Sequence, residues 1–541
     1  LHELRFLRVA VASALLSACA TPSQNFPLPA VSTDARRAEG AVPSPDTSAP
    51  PDVAASVGSY RVRTTLVIED DGRSSTTFEE EYLLLSASPL RRFSLVEVEF
   101  DPAQSDRPSL RAEVTLPDGT IKKLDPSTVA EVPADGDGWR NLNDRRKLVA
   151  PLPALVAGSV VRRSWTRVTS RPVAPFAASW TLPLASFVPS ERITAVVDHP
   201  RGLAPTMRVF AADVEPVREM SGDRVRVVYE RIRPPVERFV GSLPPDAVRF
   251  AGLYVSTATS WQAVASGYAA LVAPAIAPGP VRDLAAELRP ASRAPRDVAA
   301  AALDWMHHNL RYTGLDLANG GIVPHLARET RERGYGDCKD LAAYLVALLR
   351  ARDIDAKMVL VTSATWSEGP EDVPGLQDFD HAIVMVPGAD PIWIDPTLRG
   401  MPAGVLADLT TSRRALVVDA STTAPIRTPE GDAARNRAMV HTEIELPLTG
   451  KGKVRTVRTQ SGTALAATRQ RAIWRTADEV RQEVADEVRE SHASEDFEYR
   501  HSDPLSALVP FEEVLVVANS GAAVASDADA FATWVSRRSS P

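Results

Sequence analysis

The chain has 541 residues, of which 44% are hydrophobic and 24% charged, with a formal net charge of -8. That length is enough for roughly two to four domains, each with its own core. Mild acidity without a basic, aromatic-studded surface gives no basis for nucleic-acid binding. Beyond the first residues, no run of about twenty apolar side chains offers a membrane-spanning helix.

In residues 1–19, Arg5 and Arg8 precede the small apolar run Val9–Ala18, which Cys19 closes. The run is too short for a span and reads as a secretory signal. The quartet Leu16-Ser17-Ala18-Cys19 resembles a bacterial lipoprotein processing box, which makes Cys19 the expected lipidation site and first mature residue. An ordinary signal peptide cut near Ala20 is the alternative. The lipoprotein reading implies attachment through an N-terminal lipid anchor, with Ala20 favouring the outer membrane and the body facing the periplasm. Cys338 is then the single thiol of the mature chain, and no internal disulfide can form. Residues 20–56, rich in Pro, Ser, Ala and Asp, read as a flexible tether.

Residues 57–245 have the pattern of short strands. Tyr60–Ile68 runs through the turn residues Glu69-Asp70-Asp71-Gly72 into Thr76–Leu84, and Leu110–Leu116 is joined to Thr120–Leu124 across Pro117-Asp118-Gly119. Val160–Val168 and Arg224–Tyr229 alternate in the same way. Many antiparallel strands with polar outer faces predict a layered β-sandwich. Asp70, Asp71 and Gly72 lack the remaining ligand positions of a calcium loop and read as a hairpin turn.

A helical section opens the next domain, residues 246–420. Trp261–Leu271 is one predicted helix and Arg296–Leu310 another, with Val298, Ala302, Trp305 and Met306 on one face. His307 and His308 are adjacent, point to different faces and read as surface or boundary residues. Gly336-Asp337-Cys338-Lys339-Asp340 then places a thiol in the first turn of an apolar helix. Unpaired backbone N–H groups and the positive end of the peptide dipoles favour a thiolate there. Lys339 and Asp340 are expected to point away from Cys338 toward surface or inter-element contacts, and Gly336 to permit a close backbone approach. Downstream, His381 opens the apolar run Ala382–Val386, and Asp395 follows Ile392-Trp393-Ile394. A cysteine on a helix, then His and Asp on successive strands, is the set that a thiol nucleophile with a base and an orienting carboxylate requires. His325 is a competing base without a following strand.

Tyr312-Thr-Gly, Pro324-His325, Gly336–Asp340, Leu348-Leu-Arg350, Ile354-Asp-Ala356, Phe379-Asp-His381 and Trp393-Ile-Asp-Pro-Thr397, in this order, resemble the transglutaminase-like superfamily. The resemblance is to the bacterial branch that follows a β-rich domain of unknown function, DUF3857. It covers roughly residues 50–420 and implies a papain-like α+β core, with Cys338, His381 and Asp395 as the catalytic residues. That branch commonly has Asn where this chain has Asp380, which adds negative charge near the base if Asp380 faces inward. The implied chemistry is acyl transfer on an amide or ester, with the Cys338 N–H as one oxyanion donor and Trp305 or Tyr312 as candidates for the second. The acceptor is water or an amine, and the substrate a polypeptide or a peptidoglycan-like amide. Two other readings stay open: a non-catalytic envelope assembly or protein-binding module on an inactive transglutaminase-like fold, and a zinc site from Cys338, His325 and His381, which lacks a close ligand pair. No cofactor and no metal are expected.

After a polar linker at 421–436, residues 437–541 read as a C-terminal β-rich domain. Strands are predicted at His441–Leu446, Gly452–Val457 and Glu513–Val517, with a charged, solvated helix over about 465–490. Relatives of this architecture often continue with more β structure, so this domain reads as short or truncated. The expected fold class is multidomain α+β: a layered β domain, a papain-like/transglutaminase-like α+β core, and a β-rich domain with a charged helix.

Overall fold

A computed structural model describes residues 56–532, apart from 87–93, 135–140, 238–249, 317–320, 364–367, 433 and 526–529. It also describes two short strands, Leu7–Ala10 and Leu16–Ser17, which pair with Arg437–Leu446. Cys19, the tether residues 20–55 and the last nine residues lie outside the described residues.

The alternating N-terminal sequence builds an eight-stranded sheet whose long members include Val57–Ile68, Ser74–Leu84, Val160–Thr169 and Ser190–Pro200. The first two are joined through Gly72, whose φ of 85° lies in the left-handed region that favours glycine. Side chains alternate between the two faces. Leu66, Tyr82, Val114, Val161 and Ile193 are buried on one, while Arg61, Glu81, Arg162 and Glu113 form a ladder of ion pairs on the other. Two three-stranded sheets cover the inner face and make two cores. One sheet contains Leu95–Phe100 and Arg146–Pro151; the other is Ser179–Pro183, Gly252–Ser256 and Thr206–Phe210. Tyr60 borders both cores and donates to the buried Glu80 at 2.8 Å, which Arg163 neutralises.

Two features differ from the sequence expectation. Val57–Ile68 and Ser190–Pro200 pair in parallel, because the intervening chain leaves to supply Ser179–Pro183 and re-enters on the far side of the first strand. The strand Gly252–Ser256 also carries β structure past residue 245.

The central domain packs helices against a five-stranded antiparallel sheet in the spatial order Ile392–Ile394, His381–Val386, Lys357–Val361, Arg414–Val417, Ile426–Arg427. The helix Cys338–Arg350 is buried from Leu341 through Leu349, as its nearly unbroken apolar sequence demands. It lies between the His381 strand and the helix Pro295–Asn309.

The C-terminal sheet includes Arg437–Leu446, Gly450–Gln460 and Glu512–Ala525. The single charged helix expected over 465–490 is two, Thr463–Trp474 and Ala477–His492. Thr476 ends the first by capping the second, in a reciprocal box with Glu479. Val480, Val484 and Val488 give the second helix a buried stripe against Leu515 and Val517, so only its outer face is solvated.

This domain also changes the fate of His307, expected at a surface or boundary. Arg469 bonds the carbonyls of Gly400, Ser506 and Val509, and Asp304 accepts from Ser506 Oγ at 2.7 Å. His307 beside them is buried and its Nδ1 accepts from Gly400 N–H at 3.0 Å, with burial pushing the imidazole down to about 3. His308 stays partly exposed and reaches Asp503 at 2.8 Å.

Leu345 lies at the centre of the Cys338 helix with 0% of its surface exposed. Leu345→Ala is expected to destabilise the domain by about 2–5 kcal/mol, from lost burial plus the cavity left behind; equilibrium denaturation checks this.

Candidate active site

The start of the cysteine helix is organised by carboxylates. Asp337 adopts extended backbone angles and its side chain accepts from the Asp340 N–H at 3.2 Å, while Asp340 Oδ2 accepts from the Asp337 N–H at 3.3 Å. This reciprocal cap fixes Cys338 as the first helical residue, where backbone N–H groups have no intrahelical acceptor. A Cβ on Gly336 would lie 2.7 Å from that of Asp340, so the close approach requires glycine.

Of the two places expected for Lys339 and Asp340, surface or inter-element contacts, the structure shows the second. Both are buried. Lys339 pairs with Asp337 and donates to the Leu315 carbonyl at 3.3 Å. Asp340 accepts from the His325 N–H at 2.8 Å and lies 3.2 Å from His325 Nδ1. Leu315 and His325 lie over the helix start, so polar groups that would face solvent on a free helix end meet these residues instead. His325 is thereby engaged with Asp340, on the N-terminal side of the cysteine.

His381 sits at the first position of its strand, paired with Val361, and the neighbouring strand ends one residue before Asp395. His381 Nε2 is 2.9 Å from Asp395 Oδ2. The other carboxylate oxygen accepts from Thr397 N–H at 3.0 Å and from its hydroxyl at 2.7 Å. The Cys338 side chain is the other group that acts on the imidazole, and like Asp395 it favours the charged ring. The structure therefore brings together Cys338, His381 and Asp395, and keeps His325 apart from them. Among the described residues no group of three or more His, Cys, Asp or Glu side chains is placed to hold a metal ion.

Burial by itself would lower the His381 imidazole. The Asp395 carboxylate, then Cys338, outweigh it and hold the ring well above its ordinary value. Burial likewise opposes ionisation of Asp395, but His381 and Thr397 keep that carboxyl below its usual range. Asp380 faces away from the imidazole: its carboxylate accepts from the Ser363 N–H at 2.6 Å and from the hydroxyl at 3.0 Å.

The two candidates for a second oxyanion donor separate. Trp305 stacks on Tyr344, six residues and thus about 240° around the helix from Cys338. Tyr312 lies on the cysteine side, where burial and the Cys338, Asp337 and Asp395 groups push its phenol up. Tyr268, whose hydroxyl donates to the Ile322 carbonyl at 2.8 Å, ties down the adjoining loop. Sequence reasoning missed the Asp337–Lys339 pair. The pattern Asp-Cys-Lys-Asp did signal a capping box, and a capped end is a place where charges can be buried in pairs.

Residues 70–236 match the family model of the domain of unknown function DUF3857, and residues 282–395 match that of the transglutaminase-like superfamily. Among solved structures, the chain is similar to a candidate protease from Parabacteroides distasonis, at 16% identity and a TM-score of 0.56, over 70% of this chain and 72% of that one. At that identity the likeness speaks for the fold alone. A candidate cysteine protease from Cytophaga hutchinsonii is 12% identical over 62% of this chain and 78% of its own, with a TM-score of 0.17. An M1 zinc metallopeptidase from Deinococcus radiodurans is 13% identical over 37% of this chain and 42% of its own, with a TM-score of 0.21. Superpositions that loose carry no argument. No curated protein matches the chain.

Removing one partner of the buried Asp337–Lys339 pair strands the other charge. Asp337→Ala is expected to destabilise the protein by about 3–5 kcal/mol, well beyond the roughly 1 kcal/mol of a lost cap; thermal or denaturant unfolding reads the difference.

The two shifted groups also set a pH window. An imidazole raised in the folded state contributes stability fully present below about pH 6.5 and lost as pH rises through its folded value. A lowered carboxyl contributes stability present above about pH 3.9 and lost as pH falls through its folded value. The difference in Tm between the natural chain and His381→Gln should therefore be largest between about pH 4 and 6.5 and shrink at higher pH. Thermal melts from pH 4 to 9 measure it.

Proposed function

We propose that this chain, a transglutaminase-like protein with an N-terminal DUF3857 domain, is a thiol-dependent acyl-transfer enzyme acting on amides, with Cys338 as nucleophile, His381 as base and Asp395 as orienting carboxylate. The observation that carries this reading is one largely enclosed imidazole that lies 2.9 Å from Asp395 and interacts with the Cys338 thiol at the start of a helix.

Each group has a task that its surroundings support. Asp395, held by Thr397, accepts the Nε2–H of His381 and so directs Nδ1 to the sulfur. His381 takes the Cys338 proton, and the thiolate attacks the carbonyl carbon. The negative charge that develops on the carbonyl oxygen can be met by the Cys338 backbone N–H, free of intrahelical bonding at the first position. Collapse of the tetrahedral species breaks the C–N bond, with His381 giving its proton to the departing amine. Water or a second amine then attacks the thioester, His381 accepts the incoming proton, and the thiol is regenerated. Water as acceptor makes the reaction a hydrolysis, an amine a crosslink. The lipoprotein-type quartet ending at Cys19 supports an envelope location, and hence envelope polypeptides or peptidoglycan-like amides as substrates.

Alkylation of the full chain by a small electrophile across pH 5 to 9, read by mass spectrometry, tests the proposal. The expected result is rapid modification of Cys338 that persists below pH 7, is abolished in Cys338→Ala and reverts to an ordinary thiol profile in His381→Ala. An ordinary profile in the folded natural chain would favour the non-catalytic module instead. With a turnover substrate, Asp395→Asn is expected to reduce kcat by about 10²- to 10⁴-fold by releasing the imidazole from its tautomer.

A further inference from the structure

The stretch 368–379 runs from the strand Lys357–Val361 to His381, and its described residues lie against the N-terminal β domain. The Ser256 hydroxyl donates to the Pro374 carbonyl and Thr181 Oγ1 to Gln377 Oε1 at 3.2 Å, while Trp261 Nε1, from the first helix of the central domain, donates to the Glu371 carbonyl at 2.7 Å. Two glycines make the approach possible. A Cβ on Gly369 would collide with the Tyr254 ring, and one on Gly375 with the Ser179 side chain. Tyr254 and Ser179 both belong to the small sheet that covers the inner face of the eight-stranded one.

At the centre of this seam is Asp378, three residues before His381. Its carboxylate receives the Gly369 N–H at 3.1 Å and Arg414 Nη1 at 3.3 Å, and it lies beside the Tyr254 ring, both crowding the space where a Cβ on Gly369 would stand. Arg414, almost fully buried, also bonds the Gly369 carbonyl, and its backbone N–H donates to Glu368 Oε1 at 2.7 Å. Arg427 closes the set on Glu368 Oε2 at 2.9 Å. The Asp378 carbonyl accepts from Thr362 Oγ1 at 2.8 Å, which ties this residue to the strand beside His381. A largely enclosed carboxylate that takes donors from two separate elements and packs against a third has one position in which all are satisfied. On the other side of the site, the β domain adds the strand Asn141–Asn143 in parallel to Gly314–Asp316, whose Leu315 carbonyl accepts from Lys339.

We propose that the N-terminal β domain positions the base of the active site: Tyr254 fixes Asp378, and Asp378 fixes the approach of the chain to His381, so that the imidazole meets both Cys338 and Asp395. Asp378 and Tyr254 are positioning residues, since neither touches the sulfur or the reacting carbonyl. The proposal rests on the reading of Cys338 and His381 as nucleophile and base, and gives the DUF3857 domain of this chain a task within that reaction.

The test is the pH profile of Cys338 alkylation by iodoacetamide in the full chain, compared among the natural protein, Tyr254→Phe, Asp378→Asn, Arg208→Ala and His381→Ala. Tyr254→Phe keeps the ring, including its edge contact with Phe210, and Asp378→Asn keeps the shape, so each probes the link without opening a cavity. Arg208 pairs with Asp372 at 2.5 Å on the exposed rim of the same seam and serves as the control. The expected result is a fall of about three- to tenfold in the ratio of labelling at pH 6 to that at pH 9 in Tyr254→Phe and Asp378→Asn, the scale of one hydrogen bond. Arg208→Ala should keep the natural profile. Near-UV circular dichroism establishes that each variant is folded, and if one is not, the other carries the comparison. Natural profiles in both seam variants, alongside a changed profile in His381→Ala, would overturn the positioning role and leave the nucleophile–base pair standing. An unchanged profile in His381→Ala would remove the pair, and the positioning proposal with it.

Discussion

The requirement that shapes this protein is that Asp395, almost fully enclosed, remain a carboxylate. A buried negative charge is tolerated only with donors on its oxygens and a positive partner close by. Thr397 supplies two donors and the His381 imidazole supplies the partner, at 2.9 Å. That partner is itself largely enclosed and needs a second polar neighbour, which the Cys338 thiol provides. The three groups satisfy one another, and the five-stranded sheet and the cysteine helix are the frame that brings them within reach. The same logic recurs one turn away, where Asp337, Lys339, Asp340 and His325 form a second buried set around the helix start.

Neither set is built by the central domain in isolation. The β domain reaches the segment before His381 through Tyr254 and Ser256, and the C-terminal domain reaches the segment after Asp395 through Arg469. Arg469 is nearly enclosed, and burial lowers its guanidinium to about 10, so its carbonyl partners at Gly400, Ser506 and Val509 matter to how well that charge is tolerated. The loops that carry the base and its carboxylate are each pinned by a different neighbour. This explains why polar side chains such as Ser256 and Arg414 are buried without belonging to the Cys338, His381 and Asp395 set.

Much of this was legible in the chain itself. Cys338 at the head of an apolar helix, His381 at the head of a strand and Asp395 at the end of the next follow from the periodicity of the apolar runs, because that is a local signal. The hairpin at Gly72 was legible for the same reason. The parallel pairing of Val57–Ile68 with Ser190–Pro200 was not, since strand order is set by long-range packing that alternation does not encode. The burial of Lys339 and His307 was hidden for a related reason: each is covered by a segment or domain distant in sequence, and a polar side chain looks exposed until its partner is known. The split of the charged helix at Thr476 was readable from Thr-Ala-Asp-Glu, a cap followed three residues later by glutamate, but the continuous run of charge masked it.

Gly400 has a consequence for how the molecule comes into being. Its φ of 79° and its contact with the Pro504 carbonyl place the turn after Asp395 directly beneath the last domain, with Arg469 on its own carbonyl. A chain made from its N-terminus presents the cysteine well before the residues that finish this turn. The turn that follows Asp395 thus reaches its final shape only after the chain has been made through Val509, more than a hundred residues beyond it. The order of residues along the chain acts as a clock, and the sulfur waits for its full environment.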